Sequence, residues 1–170
     1  MINNASVYKE HTIKLAVFDL DDTLIHEGFA DSEPILCNDT MAILELLKKN
    51  NIKIALASHN HNAETIMKNA GIYNFFDFVQ AYYDFTDKAS HIHNIMEHFS
   101  FFNIKLDEMV FYDDMKINII KARINGINAK LVSHKTGITL DDVITTIPYL
   151  FVKTEIIQDA NKEENKKIDN

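Results

Sequence analysis

Two stretches of this chain place carboxylates directly after an apolar run. The first is Ile13 to Leu24, I-K-L-A-V-F-D-L-D-D-T-L, where Leu15, Ala16, Val17 and Phe18 give way to Asp19, Asp21, Asp22 and Thr23. The second is Met109 to Asp114, M-V-F-Y-D-D. Like charges a few ångströms apart repel, so an acid cluster persists only if a proton or a cation neutralises it. Oxygen donors of this kind suit a hard cation, and Mg²⁺ is the usual choice beside phosphate. Asp22 taken alone reads as an ordinary solvated turn residue. Asp19, Asp21, Asp113 and Asp114 taken together read as one acid cluster, because two parallel strands can bring carboxylates at the same end around a single cation.

Two further side chains have the chemistry to handle a phosphoryl group. Ile52 to Ala57 (I-K-I-A-L-A) is apolar and ends in Ser58. A hydroxyl there either binds a phosphate oxygen or caps the helix that starts near Asn62. Lys88 lies in D-F-T-D-K-A-S, the start of a predicted helix running to about Phe99. Cations are disfavoured at the positive end of a helix dipole, unless an anion is near. Lys88 is therefore either a solvent-exposed lysine or the partner of a carboxylate cluster or a phosphate.

These residues need a scaffold that presents strand ends side by side. Short, near-continuous apolar runs read as strands buried on both faces, the pattern of parallel sheets. The runs at Leu15–Phe18, Ile52–Ala57, Phe78–Tyr83, Met109–Tyr112 and Ile127–Val132 predict five strands. Helices are predicted between them. One starts at Asn38 or Asp39 as cap and runs to about Asn50, and one runs from about Asn62 to Ala70 with Gly71 as its stop. Another spans Ile117–Asn125 and is stopped by Gly126. The last is opened by Thr139 with Asp142 and runs to about Ile147. Ligands in open α/β sheets bind outside the carboxyl ends of the strands, where both acid pairs fall. The fold class is α/β: a three-layer, Rossmann-like sandwich around a mostly parallel five-stranded sheet. Residues 25–37 have loop composition and are too few for an inserted cap domain.

Length and charge bound the rest. At 170 residues the chain is one domain with a real core, read here as residues 1–150, followed by a polar tail over 151–170, disordered or a frayed helix. The net charge of −8 argues against a sequence-independent grip on nucleic acid or anionic membrane. No apolar run approaches the ~20 residues of a membrane span. The single Cys37 makes no internal disulfide, and the N-terminus lacks a signal pattern, so the default is a reducing, cytoplasmic compartment.

The string L-A-V-F-D-L-D-D-T-L resembles the first motif of the haloacid dehalogenase-like hydrolases. A-S-H-N, D-K-A-S-H-I and M-V-F-Y-D-D-M-K-I-N-I-I resemble the second, third and fourth. The pattern is most similar to the small capless magnesium-dependent phosphatases, whose paired acids are followed by an Asn-Ile pair, here Asn118 and Ile119. The resemblance implies a phosphomonoesterase that acts through an aspartyl-phosphate. Asp19 would be the nucleophile and Asp21 the general acid/base. Mg²⁺ would be held by Asp19, the carbonyl of Asp21, and Asp114 with Asp113 as neighbour. Ser58 and Lys88 would hold the phosphoryl oxygens of a phosphorylated small molecule or phosphoprotein. It also implies a strand order of fifth, fourth, first, second, third. Two features depart from the family: His59 stands where an arginine usually contacts phosphate or substrate, and the segment after the first motif is short.

Two other readings compete. A non-catalytic, regulatory phosphate- or metal-binding module would keep the same fold and metal. A receiver-type signalling domain also uses acids and Mg²⁺, but its acid pair follows the first strand and its phospho-acceptor the third. Among the histidines, His59-x-His61 and His91-x-His93 have a spacing that points them apart on a helix, which argues against zinc. His59 is the one placed to touch substrate.

Overall fold

The structure, a computed structural model, describes residues 12–26, 34–82 and 88–150. The expected lead-in, the tip of the loop after the first motif, residues 83–87 before Lys88, and the tail from 151 onward lie outside the described residues.

Strands β1 (Leu15–Phe18), β4 (Lys53–Ser58), β5 (Phe78–Ala81), β6 (Met109–Asp113) and β7 (Asn128–Leu131) form one sheet in the order β5-β4-β1-β6-β7. All four pairings are parallel. This is the fold class and strand order expected above. The other two strands, β2 (Ile25–His26) and β3 (Ile35–Leu36), pair as a small antiparallel hairpin right after the first motif.

The three layers follow from the apolar runs. In β1 all four side chains are buried. Ala16 and Phe18 face one core, with Ile43, Leu44 and Leu47 of α1 (Thr40–Lys49), Met67 of α2 (Ala63–Asn69) and Val143 of α5 (Leu140–Thr146). Leu15 and Val17 face the other, with Ile92 and Ile95 of α3 (Lys88–His98) and Ile119 and Ala122 of α4 (Lys116–Ile124). A strand with no polar face can sit only in the middle of such a sandwich.

Helix ends match the turn chemistry with one difference. Gly71 and Gly126, at φ +74 and +79, end α2 and α4 in the left-handed conformation that an L side chain resists. Thr139 and Asp142 form the expected reciprocal capping box on α5. Asp39 sits at the N-cap of α1 but makes no side-chain bond to that helix. Its Oδ2 accepts instead from Leu140 N at 2.9 Å, at the start of α5. One carboxylate thereby joins α1 and α5, two helices of the same layer.

Candidate active site

Parallel register brings the two acid clusters to one edge. Phe18 is paired with Leu56 on one side and Tyr112 on the other. Asp19 extends that ladder by donating its backbone N–H to Tyr112 O at 2.9 Å. It therefore stands level with Ala57 in β4 and Asp113 in β6. After it the chain turns sharply. Asp22 adopts φ +54, a left-handed conformation that Asp tolerates, and its N–H donates to Ile25 O at 2.7 Å.

The turn is held from behind by residues that chemistry alone does not single out. Thr23 O accepts from Ile138 N at 2.8 Å. Gly137, at φ +66, lies so close that a Cβ there would stand 2.1 Å from Cys37 Sγ and 2.8 Å from Thr23 O. Thr23 is fully buried and orders the loop through its backbone; its hydroxyl has no hydrogen-bond partner among the described residues. Cys37, buried beside this loop, has its thiol pushed up to about 11 by burial and by the charge of Asp22.

Lys88 reaches the middle of the acid cluster from α3. Its Nζ donates to Asp19 Oδ1 and to the carbonyl of Ala57, and it lies 3.7 Å from Asp113 Oδ2. It is buried, with 4% of its surface exposed, so the solvent-exposed alternative is set aside. Asp113 is fully buried. Its Oδ1 accepts from Met115 N at 2.7 Å, and both its oxygens accept from Asn118 Nδ2 at 3.0 Å. Burial and the charge of Asp19 nevertheless push the Asp113 carboxyl up to about 7, against the opposing pull of Lys88, Asn118 and Met115 N. Burial, with Asp19 and Asp22, also raises half-buried Asp114.

Asp19, Asp113 and Asp114 each offer a carboxylate oxygen, and these oxygens lie within 4.8 Å of one another. A cluster of hard oxygens, one carboxylate of which holds its proton toward neutrality, fits a small divalent cation. The Asp21 carboxylate is outside this trio. It faces Asn60, whose Nδ2 donates to Asp21 Oδ1 and Oδ2 at 3.1 and 3.2 Å.

Ser58 is fully buried at the end of β4. Its Oγ accepts from Asn60 N at 3.0 Å. It does not cap α2, whose N-cap is Asn62. Half-buried His59 packs edge-on against the buried ring of His91 at 4.8 Å, and His91 in turn meets Tyr82 at 5.0 Å. The two histidines of different pairs thus meet, in an aromatic cluster beside Ser58. Asn60 and the Ala57 carbonyl carried no sequence signal of their own. The string A-S-H-N held both neighbours of the site, but nothing in it says which way an asparagine will turn.

A parallel sheet with carboxylates at adjacent strand ends, bridged by a buried lysine from the next helix, is the haloacid dehalogenase-like fold. The acid phosphatase family model matches residues 30–148, well over half the chain, and the chain belongs to that family. The match begins after Asp19 and Asp21 and spans Ser58, Lys88, Asp113 and Asp114. No curated protein matches the sequence. Solved structures share the fold. A haloacid dehalogenase superfamily hydrolase from Ehrlichia chaffeensis superposes with a TM-score of 0.63 at 14% identity, over 82% of this chain and 98% of that one. A haloacid dehalogenase-like hydrolase from Streptococcus pneumoniae gives 0.58 at 15%, over 79% and 90%. The N-terminal part of a Bacteroides fragilis protein, containing a phosphatase domain and complexed with Mg, gives 0.63 at 21% identity, over 81% of this chain and 40% of that one. The fold and family are those of a phosphatase, a hydrolase. No helix among the described residues is long and apolar enough to cross a membrane.

Proposed function

We propose that this protein is a Mg²⁺-dependent phosphomonoesterase that works through an aspartyl-phosphate, in a single catalytic domain spanning residues 1–150. The observation that carries the proposal is the ion cluster itself. A buried lysine binds Asp19 and approaches Asp113, while Asp114 completes an oxygen trio at one sheet edge. Three carboxylates at strand ends weaken a fold, and their use is to bind and transfer a phosphoryl group.

Asp19, Asp113 and Asp114, with the Asp21 carbonyl, are the residues that would hold Mg²⁺; resemblance to the capless phosphatases implies that Asp114 would be the direct ligand of the acid pair and Asp113 its neighbour. When bound, the cation neutralises charge on the phosphoryl oxygens. Lys88, the Ser58 hydroxyl and His59 orient those oxygens; the Oγ of Ser58 already accepts from Asn60 N, so its proton is available to donate. The Asp19 carboxylate attacks phosphorus as the bond to the leaving oxygen breaks, and Asp21 gives that oxygen its proton. Water then attacks the aspartyl-phosphate, Asp21 takes the proton, and inorganic phosphate leaves as Asp19 is restored.

The substrate class is a phosphorylated small molecule or a phosphoprotein, admitted to a site without a cap domain, in a cytoplasmic setting. The test is a panel of phosphomonoesters assayed for phosphate release with Mg²⁺ and with excess chelator. Metal-dependent turnover is expected. A pure, folded protein that releases no phosphate from any ester would refute the proposal and favour a regulatory module of the same fold.

A further inference from the structure

Asp21 is held by a residue to which the four motifs give no role. The side-chain amide of Asn60 straddles the Asp21 carboxylate, 3.1 and 3.2 Å from its two oxygens. The same residue's backbone N–H donates to Ser58 Oγ at 3.0 Å, and its Oδ1 accepts from Asn62 N at 3.0 Å. Every polar group of Asn60 described here is thus tied either to a proposed site residue or to the loop leading into α2.

Asp21 lies one residue past Leu20 on a turn, where its backbone bridges to Ile25, and it is half-buried. Its carboxylate lies outside the trio of Asp19, Asp113 and Asp114 and faces Asn60, just past the end of β4. A carboxylate on a short turn samples several rotamers, and ordering it has an entropic cost. A proton donor is effective only within hydrogen-bond reach of the leaving oxygen.

Resting on the phosphomonoesterase reading, we infer that Asn60 is a positioning residue: it fixes the Asp21 carboxylate relative to Ser58, so that the group holding phosphate and the group serving the leaving oxygen move as one unit. The amide does not touch substrate. It donates to both carboxylate oxygens, and its planar NH₂ sets the plane in which Asp21 presents itself. The link to Ser58 runs through the backbone of Asn60, so side-chain substitution breaks the Asp21 contact and leaves the Ser58 contact in place.

That separation gives the test. Asn60→Ala and the near-isosteric Asn60→Leu are compared with the parent, in Mg²⁺, on two esters. An alkyl phosphate such as β-glycerol phosphate needs its leaving oxygen protonated. p-Nitrophenyl phosphate does not. For the alkyl ester kcat/KM is expected to fall by about 10- to 100-fold, and for p-nitrophenyl phosphate by about threefold or less, since misplacement of one catalytic group is felt only where that group acts. Hydrolysis of the aspartyl-phosphate also needs Asp21, so a burst of p-nitrophenolate should appear in the variants. Competitive inhibition by inorganic phosphate should stay near the parent value, because Ser58 and Lys88 are untouched. Equal losses on both esters, or no loss on either, with the variants melting as the parent does, would overturn the inference alone. A parent protein that turns over neither ester refutes the phosphatase reading itself, and the inference with it.

Discussion

Lys88→Ala is the sharpest test of how the acid cluster is held. The side chain is buried, and it donates to Asp19 and to the Ala57 carbonyl within 3.7 Å of Asp113. Removing one partner of a buried ion pair typically costs about 3–5 kcal/mol, because the charge left behind has neither water nor a counter-ion. The orphaned Ala57 carbonyl is part of the same loss and adds little beyond it.

The cost should depend on pH in a direction fixed by Asp113. Its folded pKa is raised from 3.8 to about 7, so the folded state binds its proton where the unfolded state has already lost it. Stability from this group is therefore fully present below about pH 4 and falls as pH rises through about 7. Without Lys88 the folded pKa rises further and the penalty extends to higher pH. The difference between parent and variant should be small at about pH 5 and approach the full 3–5 kcal/mol at about pH 8 in urea unfolding. Mg²⁺ at a hundredfold excess over the parent's Kd should stabilise the parent by about 2.7 kcal/mol, and at that same concentration the variant, whose more negative cluster binds the cation more tightly, should gain more. Turnover should drop by a factor of ~10² or more, the scale for losing one preorganised charge contact. A variant destabilised by less than about 1 kcal/mol at alkaline pH, or equally at all pH and Mg²⁺ levels, would show that Lys88 does not neutralise the cluster.

Substitutions at three other residues address the remaining parts of the site. Asp19→Asn should abolish phosphate release while the circular dichroism spectrum is retained; turnover of p-nitrophenyl phosphate at the parent rate would exclude Asp19 as nucleophile. Gly137→Ala must place a Cβ 2.1 Å from Cys37 Sγ at a left-handed φ, so a loss of about 2 kcal/mol or more in urea unfolding is expected, with activity falling as the Asp19–Thr23 turn shifts. His59→Arg should lower KM, since a guanidinium fork grips phosphate better than an imidazole. An unchanged KM in both His59→Arg and His59→Ala would place the ring in the aromatic cluster alone.

The strands were legible because the runs at Leu15–Phe18 and Met109–Tyr112 have no polar alternation, which leaves only the sheet interior; their order was implied by the resemblance to the haloacid dehalogenase-like hydrolases. The meeting of Asp19 with the Asp113–Asp114 pair followed from the same runs, since both end at the same edge of parallel strands. Lys88 was ambiguous in sequence, because one lysine near a helix start looks the same exposed or buried. Only the third dimension places its ammonium beside Asp19. Asn38 or Asp39 reads as the cap of α1; Asp39 takes that position, but its carboxylate serves Leu140, 101 residues away in sequence. Asn60 and Gly137 were invisible for a related reason. Their roles depend on what a distant segment puts opposite them, and no local spacing encodes that.

The charge count of the cluster joins stability and chemistry. Asp19, Asp113 and Asp114 would carry three negative charges if all were ionised, and Lys88 returns one positive charge. The remainder is two, the charge of a divalent cation. Short of such a cation, the raised pKa of Asp113 reduces that excess toward neutral pH, while Asn118 and Met115 N oppose it by donating to the ionised carboxylate. On the proposed reading, binding of Mg²⁺ would displace that proton, so affinity for the cation and the acid–base state of the site would be one equilibrium. The apolar strand beneath, with Leu15, Ala16, Val17 and Phe18 fully buried, is what lets the fold tolerate the cluster in either state. The central strand is buried along its whole length, and the acid cluster is fixed to its end.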